Sequence, residues 1–451
     1  MTGLDALRAS LGSDGVVTDR DVLSAYRQDR AQTVDAGWPL ALVRPVTTHD
    51  VQSVLRWASE TSTPVVTRGA GTGLSGAAAA VDGCLILSTG RMRELVIDAD
   101  DLVAVAQPGI INAELKAAAR EYGLTYPPDP SSYEESTIGG NIATNAGGLC
   151  CVKYGVTRDY VLGLEVVLAD GRVLDIGGRT VKDVAGYDLR GLFVGSEGTL
   201  GVVTRATLRL RPLPPAPATL VASFPDLEAG GRAVSAIVRA STMSCVEIMD
   251  GAAVRAVERY RPMGLGSGVE CVLVAQSDSA AGLADVQAAE RICEENGADF
   301  TATTEDRAEG EAFMAARRAA IPSLYESGRL LVEDIAVPLS KIADLLSEIR
   351  RIADQTDTSI ATVGHAGDGN FHPLITYDPD DPDAAARAAV AFEDVMRAAL
   401  ALGGTITGEH GVGTLKKSVF LDQLHPVAYE LSLGLKALLD PQGILNPGVV
   451  L

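Results

Sequence analysis

The chain is short of several things, and each shortage closes off a class of function. Lys and Arg number only 38 against 59 Asp and Glu, a formal net charge of −21 over 451 residues. So acidic a surface repels phosphate backbones and anionic lipid, which argues against nucleic acid or a membrane surface as partner. An enzyme acting on anions would therefore have to build a local basic pocket. Cysteine is sparse: Cys84, Cys150, Cys151, Cys245, Cys271 and Cys293 include no C-x-x-C pair, and neighbours 150 and 151 are poor disulfide partners for each other. That excludes a disulfide framework and iron–sulfur or zinc-finger spacing, and leaves the six as buried small hydrophobes in a reducing compartment. No apolar run approaches the roughly 18–20 residues of a membrane span. The N-terminus lacks a basic start followed by an apolar core, so a cytoplasmic location without signal peptide or membrane span is expected. Aromatics reach only 4%, the palette of close-packed helix and sheet layers.

What is present is material for cores: 47% of residues are apolar. At roughly 100–200 residues per domain, two or three domains are expected. Residues 1–36 read as a polar helical segment. From Trp38, strands and helices alternate, with a helix over 48–61 and Thr48 as its N-cap. The stretch 126–156 is too rich in Pro and Gly for a regular element and reads as a long functional loop. Arg211–Pro217, with four prolines in seven residues, reads as a domain boundary. After it, a second alternation includes strands near 245–249, 330–338, 359–365 and 371–377 and a helix over 309–323. The expected class is α+β.

The strand ending at Arg68 runs into G-x-G-x-x-G at Gly71, Gly73 and Gly76. A nicotinamide dinucleotide reading fails, because the next strand begins too soon for a helix and ends in Ser88 and Thr89 rather than an acid. A P-loop reading fails for lack of G-K-[ST]. What remains is a glycine-dense loop whose backbone N–H groups can approach a pyrophosphate, or a tight turn without a ligand.

This loop has company. TRGAGTGLSG (67–76), YPPDPSS (126–132), STIGGNIATNAGG (136–148), KYGVTRDYVLGLEVVLADG (153–171), KDVAGYDL (182–189) and FVGSEGTLGVVT (193–204) follow one another. In this order they resemble the FAD-linked oxidases of the vanillyl-alcohol oxidase and p-cresol methylhydroxylase (PCMH) superfamily, and within it the D-lactate dehydrogenase and glycolate oxidase D-subunit branch. The resemblance implies a PCMH-type FAD-binding domain over 37–213. A ferredoxin-like α+β substrate (cap) domain with a metal site would span 214–415, and a C-terminal helical segment, 416–451, would return to the flavin. It implies that Gly69, Gly71, Gly73 and Gly76 cradle the FAD pyrophosphate, and that Asp129, Ser131, Gly140, Asn141 and Asn145 contact the dinucleotide. Arg68, Ala70, Thr72, Pro128, Gly139, Thr144, Gly147, Glu197, Gly201 and Val202 fall in the same cofactor-binding stretches, and Asn446 would reach the flavin from the tail. Some members hold flavin covalently through a histidine in these loops. This chain has five histidines, with none between His49 and His365, so the FAD is expected to be non-covalent.

A second cluster reads as a hairpin. In TVGHAGDGNFHPLI (362–375), Asp368-Gly369 is a two-residue turn signal. Numbering outward sets His365 opposite His372, on one face. A lone histidine is more often structural than a ligand, but two in register could chelate one cation. Glu409, in TGEHGVG (407–413), completes an N,N,O set of the kind seen around catalytic zinc; Zn²⁺ is favoured, with Mn²⁺, Fe²⁺ or Co²⁺ as alternatives. The resemblance makes H-x-G-D-G-N-x-H and E-H-G the branch's metal and active-site motifs. Of Arg317 and Arg318 on the predicted helix, one reads as a solvated residue; the resemblance makes Arg317 the holder of a substrate carboxylate.

The implied reaction is metal-assisted transfer of hydride from a small D-2-hydroxy acid, D-lactate or glycolate, to FAD, with His410 as general base. A D-2-hydroxyglutarate dehydrogenase is the alternative. The absence of lysine between Arg318 and Ser340, where only Arg329 could substitute, and Leu374 in place of a polar residue both favour a monocarboxylate. Rivals are an alkylglycerone-phosphate synthase, against which Glu409 argues, and a non-catalytic flavin-binding subunit, which should have lost the metal motif. A quinone, a cytochrome, an electron-transfer flavoprotein or oxygen could take the electrons; a homodimer stays open.

Overall fold

A computed structural model of the chain describes residues 3–31, 35–264, 266, 268–326 and 328–451. The chain passes between two units. The first comprises Met1–Gly147, Val156–Leu213 and Glu409–Leu451; the second comprises Gly148–Gly155 and Pro214–Gly408. The crossing into Pro214 falls within the proline-rich stretch. The short excursion 148–155 is tied to the second unit by Lys153 and Tyr154, whose ammonium and hydroxyl both reach the Asp278 carboxylate.

In the first unit, strands Val16–Val17, Ala41–Val43, Leu85–Ser88 and Val65–Arg68 lie in that order. The last three run parallel. Their side chains are buried on both faces, as a covered parallel sheet requires. Helix Thr48–Thr61 packs Val51, Val54, Leu55 and Ala58 into the core beside Val43, Val65 and Leu85. Its N-cap is Thr47, one residue earlier than expected. Thr47 Oγ1 accepts from Asp50 N–H at 3.1 Å, and Asp50 accepts from Thr47 N–H at 3.0 Å, so the capping box decides the boundary. A second, antiparallel sheet orders Leu95–Asp98, Val103–Ala106, Val202–Arg209, Val161–Val167 and Val173–Gly177. The N-terminal residues are less helical than expected: short helices Gly3–Leu11 and Arg20–Ser24 flank the strand Val16–Val17.

The second unit holds one antiparallel sheet in two halves. Strands Ala218–Phe224, Cys245–Asp250, Cys271–Ser277 and Phe300–Thr304 take the spatial order fourth, first, third, second, the arrangement of a ferredoxin-like fold. In the other half, Ser359–His365, Asn370–Tyr377 and Arg329–Val332 are neighbours, with Ile335–Ala336 also on Asn370–Tyr377. The halves join where Ile248 and Met249 pair with Gly364 and Val363. The expected strand 330–338 is broken at Glu333 and Asp334. The residue opposite is Pro373, which has no N–H to give; its carbonyl accepts from Glu333 N–H at 2.9 Å and the ladder stops.

Candidate active site

The glycine loop leaves the carboxyl end of strand Val65–Arg68, where parallel sheets hold their ligands. Gly69 is backed by Thr137, whose Oγ1 stands 2.2 Å from where a Cβ would sit, and Gly71 has φ +75°. Only glycine satisfies both demands. Stretch 126–156 is not wholly loop: Ile138–Thr144 is a helix. Thr137 caps it by accepting from Gly140 N–H at 3.2 Å, and Asn145 ends it in the left-handed conformation. A Cβ on Gly139 would meet Pro108 Cβ at 2.6 Å, so this glycine serves close packing.

Several expected cofactor residues have their side chains engaged by protein. The Asn141 amide accepts from Asn112 Nδ2 and donates to Ser136 Oγ. Asn145 Oδ1 accepts from Arg158 N–H at 2.9 Å, and Thr144 Oγ1 donates to Gly140 O. Pro128 O accepts from Asn112 Nδ2. Arg68 is buried and donates to Ala78 O; burial lowers its pKa. Val202 lies in the hydrophobic core with Val54 and Leu85, and Gly201 abuts Val166. Ser131 is exposed. Asn446 knits the cradle together. Its Oδ1 accepts from Thr67 N–H at 2.9 Å, and its Nδ2 donates to Ala77 O at 3.3 Å and Glu197 O at 2.6 Å.

The 409–413 segment is held by the same unit. Ser75 Oγ, inside the glycine loop, donates to His410 O at 3.1 Å. The Glu197 carboxylate accepts from Val412 N–H at 2.8 Å and Gly413 N–H at 2.9 Å. Burial pushes the Glu197 carboxyl up to about 7, against the downward pull of those two bonds. His410 Nε2 lies 3.7 Å from Glu409 Oε1.

In the second unit, His365 and His372 come together with ring centroids 5.1 Å apart at an interplanar angle of 82°. The register differs from the expected one. His365 pairs with Asn370, and His372 with Val363, so Ala366–Gly369 form a four-residue turn. Gly367 N–H bonds Val246 O at 3.0 Å, and a Cβ there would strike Val152 at 2.9 Å. These contacts impose the longer turn over the two-residue Asp-Gly signal. The shift leaves the two histidines diagonal rather than opposite, but still on one face.

Sequence reasoning did not single out the acids behind them. His365 Nδ1 donates to Glu247 Oε1 at 2.8 Å, and His372 Nδ1 to Glu333 O at 3.2 Å. Glu247 Oε2 pairs with Arg317 Nε at 2.8 Å. Asp334 accepts from Asn370 Nδ2 at 2.7 Å, Thr407 Oγ1 at 2.6 Å and Gly408 N–H at 2.9 Å. Arg317 is buried, whereas Arg318 is exposed and paired with Glu311. The only early signal was an acid inside an apolar strand, Glu247 in CVEIMD.

With Nδ1 engaged, Nε2 is the atom each imidazole would offer a cation, the tautomer that carbonyl or carboxylate acceptors enforce. These two residues therefore fit a metal. Glu409 follows directly on Gly408, the last residue of the second unit.

Comparison with known proteins gives the arrangement its family. Residues 39–177 match the model described as FAD binding domain, and 213–450 match that of FAD linked oxidases, C-terminal domain. The chain is 42% identical to glycolate oxidase subunit GlcD of Bacillus subtilis (strain 168), over 91% of this chain and 88% of that one. It is 37% identical to D-lactate dehydrogenase of Archaeoglobus fulgidus, over 94% and 95%. Among solved structures, p-cresol methylhydroxylase with substrate bound superposes at TM-score 0.83 and 20% identity, over 99% of this chain and 95% of that one. An alkyldihydroxyacetonephosphate synthase superposes at 0.76 and 19%, over 99% and 85%. Among the described residues no helix is long and apolar enough to cross a membrane. A two-part match that takes in both the glycine loop and the histidine hairpin places this chain in the FAD-linked oxidase family, with the PCMH-type FAD-binding fold.

Proposed function

We propose that the chain oxidises a small D-2-hydroxy acid, D-lactate or glycolate, to the 2-oxo acid with non-covalent FAD and a divalent metal. The observation that carries this reading is the buried Glu247 carboxylate, which orients His365 with one oxygen and Arg317 with the other. A metal ligand and a carboxylate-binding fork are thus fixed by one group. Relatives named glycolate oxidase subunit and D-lactate dehydrogenase support the substrate class.

Bound FAD supplies a hydride acceptor, and a divalent cation, Zn²⁺ being favoured by the nitrogen-rich ligands, supplies a Lewis acid toward the hydroxyl oxygen. His365, His372 and Glu409 would hold that cation. Arg317, anchored through Nε, turns its Nη edge to the substrate carboxylate and fixes which face of the α-carbon is presented. His410 takes the hydroxyl proton at a ring nitrogen. Glycines 69, 71, 73 and 76 bring backbone N–H groups to the pyrophosphate, and helix 138–144 with Asn446 shapes the rest of the cradle. Leu374, fully buried two residues beyond His372 on the same face, offers no partner to a second carboxylate. That favours a monocarboxylate over 2-hydroxyglutarate. Electrons would leave to a quinone, a cytochrome or an electron-transfer flavoprotein.

Anaerobic mixing of the flavin-loaded protein with D-lactate, L-lactate, glycolate and D-2-hydroxyglutarate tests the reading. Bleaching of the flavin band is expected with D-lactate or glycolate. Reduction by none of them, or faster reduction by L-lactate, refutes it.

A further inference from the structure

The helix Pro426–Leu439 is turned inside out. Its lysine faces the body of the first unit: Lys436 Nζ donates to Thr199 O at 2.7 Å and Leu445 O at 2.8 Å, and pairs with Asp440 at 2.6 Å. Its large apolar side chains face water, with Val427 at 54%, Leu431 at 64% and Leu438 at 71% exposure. At about 100° per residue, Val427, Leu431, Gly434 and Leu438 share about 60° of the circumference, on the side opposite Lys436. An amphipathic helix ordinarily points such a stripe at its own core. Contiguous exposed apolar surface of this kind marks an interface.

We propose that this stripe is the two-fold interface of a homodimer, each helix packing antiparallel on its copy. The stripe is complementary to itself. A two-fold axis crossing between Ser432 and Leu433 sets Val427 against the copy's Leu438, and Leu431 over the copy's Gly434. An isologous contact requires each pair to recur in reverse, and it does. Nothing lies within 4 Å of the position a Cβ on Gly434 would take, so the copy's Leu431 has room to seat. Charge points the same way. Two copies of a chain at −21 repel each other unless they meet on a charge-poor face. Glu430 and Lys436 are the only charged side chains within this helix, and Lys436 is neutralised by Asp440. The same net charge disfavours an anionic lipid surface as occupant. A contact confined to a four-turn helix pair falls at or below the roughly 1,000 Å² that specific interfaces clear, so weak, micromolar self-association is expected.

Sedimentation velocity of the flavin-loaded chain from roughly 1 to 100 µM tests this. The wild type should shift from monomer to dimer mass across that range. The double variant Leu431→Glu, Leu438→Glu should stay monomeric with unchanged flavin content and melting temperature. Gly434→Leu separates docking from folding, because it favours the helix yet fills the seat: the monomer's melting temperature should hold or rise while association weakens at least tenfold. In a Leu431→Cys, Gly434→Cys chain, mild oxidation should give a disulfide-linked dimer. A wild type monomeric throughout, a dimer that survives the double Glu change, or wild-type binding to neutral phosphatidylcholine vesicles that the double variant loses would each overturn the proposal.

Discussion

Glu247 and His365 meet at 2.8 Å where the two halves of the second sheet join, facing each other one residue beyond the Ile248–Gly364 pair. Because Arg317 takes the other oxygen of the same carboxylate, Glu247 would position both groups that the proposed reaction uses. Glu247→Gln should weaken Zn²⁺ or Mn²⁺ binding about 10–100-fold, as loss of an outer-shell partner does. Competition with a chromophoric chelator measures this without turnover, and KM for the acid should rise in parallel. Glu247→Ala should also cost about 3–5 kcal/mol of stability, since it strands a buried guanidinium. Unchanged metal affinity in Glu247→Gln would remove the positioning role.

The two adjacent arginines predict opposite outcomes. Arg317→Met should raise KM for D-lactate or glycolate about 10–100-fold, the equivalent of about 1.5–3 kcal/mol for a charged hydrogen-bonded contact, while FAD content stays at one per chain. Arg318→Met, at an exposed ion pair, should change KM less than about twofold. Steady-state kinetics on the pair settles the assignment, and equal effects at both positions would contradict it.

Glu197 predicts a pH dependence of stability. Its folded pKa, about 7, lies above the ordinary 4.5 because burial penalises the charged form. Between those values the native state binds more protons than the unfolded one. Stability from this group is therefore fully present below about pH 4.5 and is lost as pH rises through about 7, by roughly 3 kcal/mol at most. Urea denaturation across that window should show the fall in the wild type and a flatter profile in Glu197→Gln. An identical slope in the two would reject Glu197 as its source.

Local signals explain how far the sequence could be read. The glycine loop was legible because Gly69 and Gly71 answer local backbone demands, and the absence of a following helix excluded the commoner dinucleotide fold. The helix 138–144 was hidden by Gly139 and Gly140, although its cap Thr137 and its left-handed terminator Asn145 are both helix-end signals. The histidine hairpin was legible in face but not in register, since Val246 and Val152 reach Gly367 from distant parts of the chain. Glu247 gave only a weak signal, its place in the apolar strand CVEIMD, for a similar reason. An acid in a strand reads as solvent-facing, yet Cys245–Met249 is buried on both sides, and only tertiary packing brings His365 and Arg317 to that carboxylate.

Metal removal is the last expected outcome, and it follows from how the two imidazoles are held. Both Nδ1 atoms donate to oxygen, to Glu247 for His365 and to Glu333 for His372. Each ring is thereby fixed in the tautomer whose Nε2 carries the lone pair a cation needs. The glycine loop, helix 138–144 and Asn446 belong to the first unit, whereas both histidines belong to the second. A chelator should therefore abolish reduction of the flavin by D-lactate or glycolate while FAD remains bound and reducible by dithionite. Adding Zn²⁺ or Mn²⁺ back should restore the wild type. His372→Ala should behave like the chelated protein, and added metal should not rescue it, because the missing ligand is the protein's own. Full hydroxy-acid oxidation in a chelated sample with no detectable metal would mean that these histidines serve another purpose, and His410 and Arg317 would then have to act on the substrate without a Lewis acid.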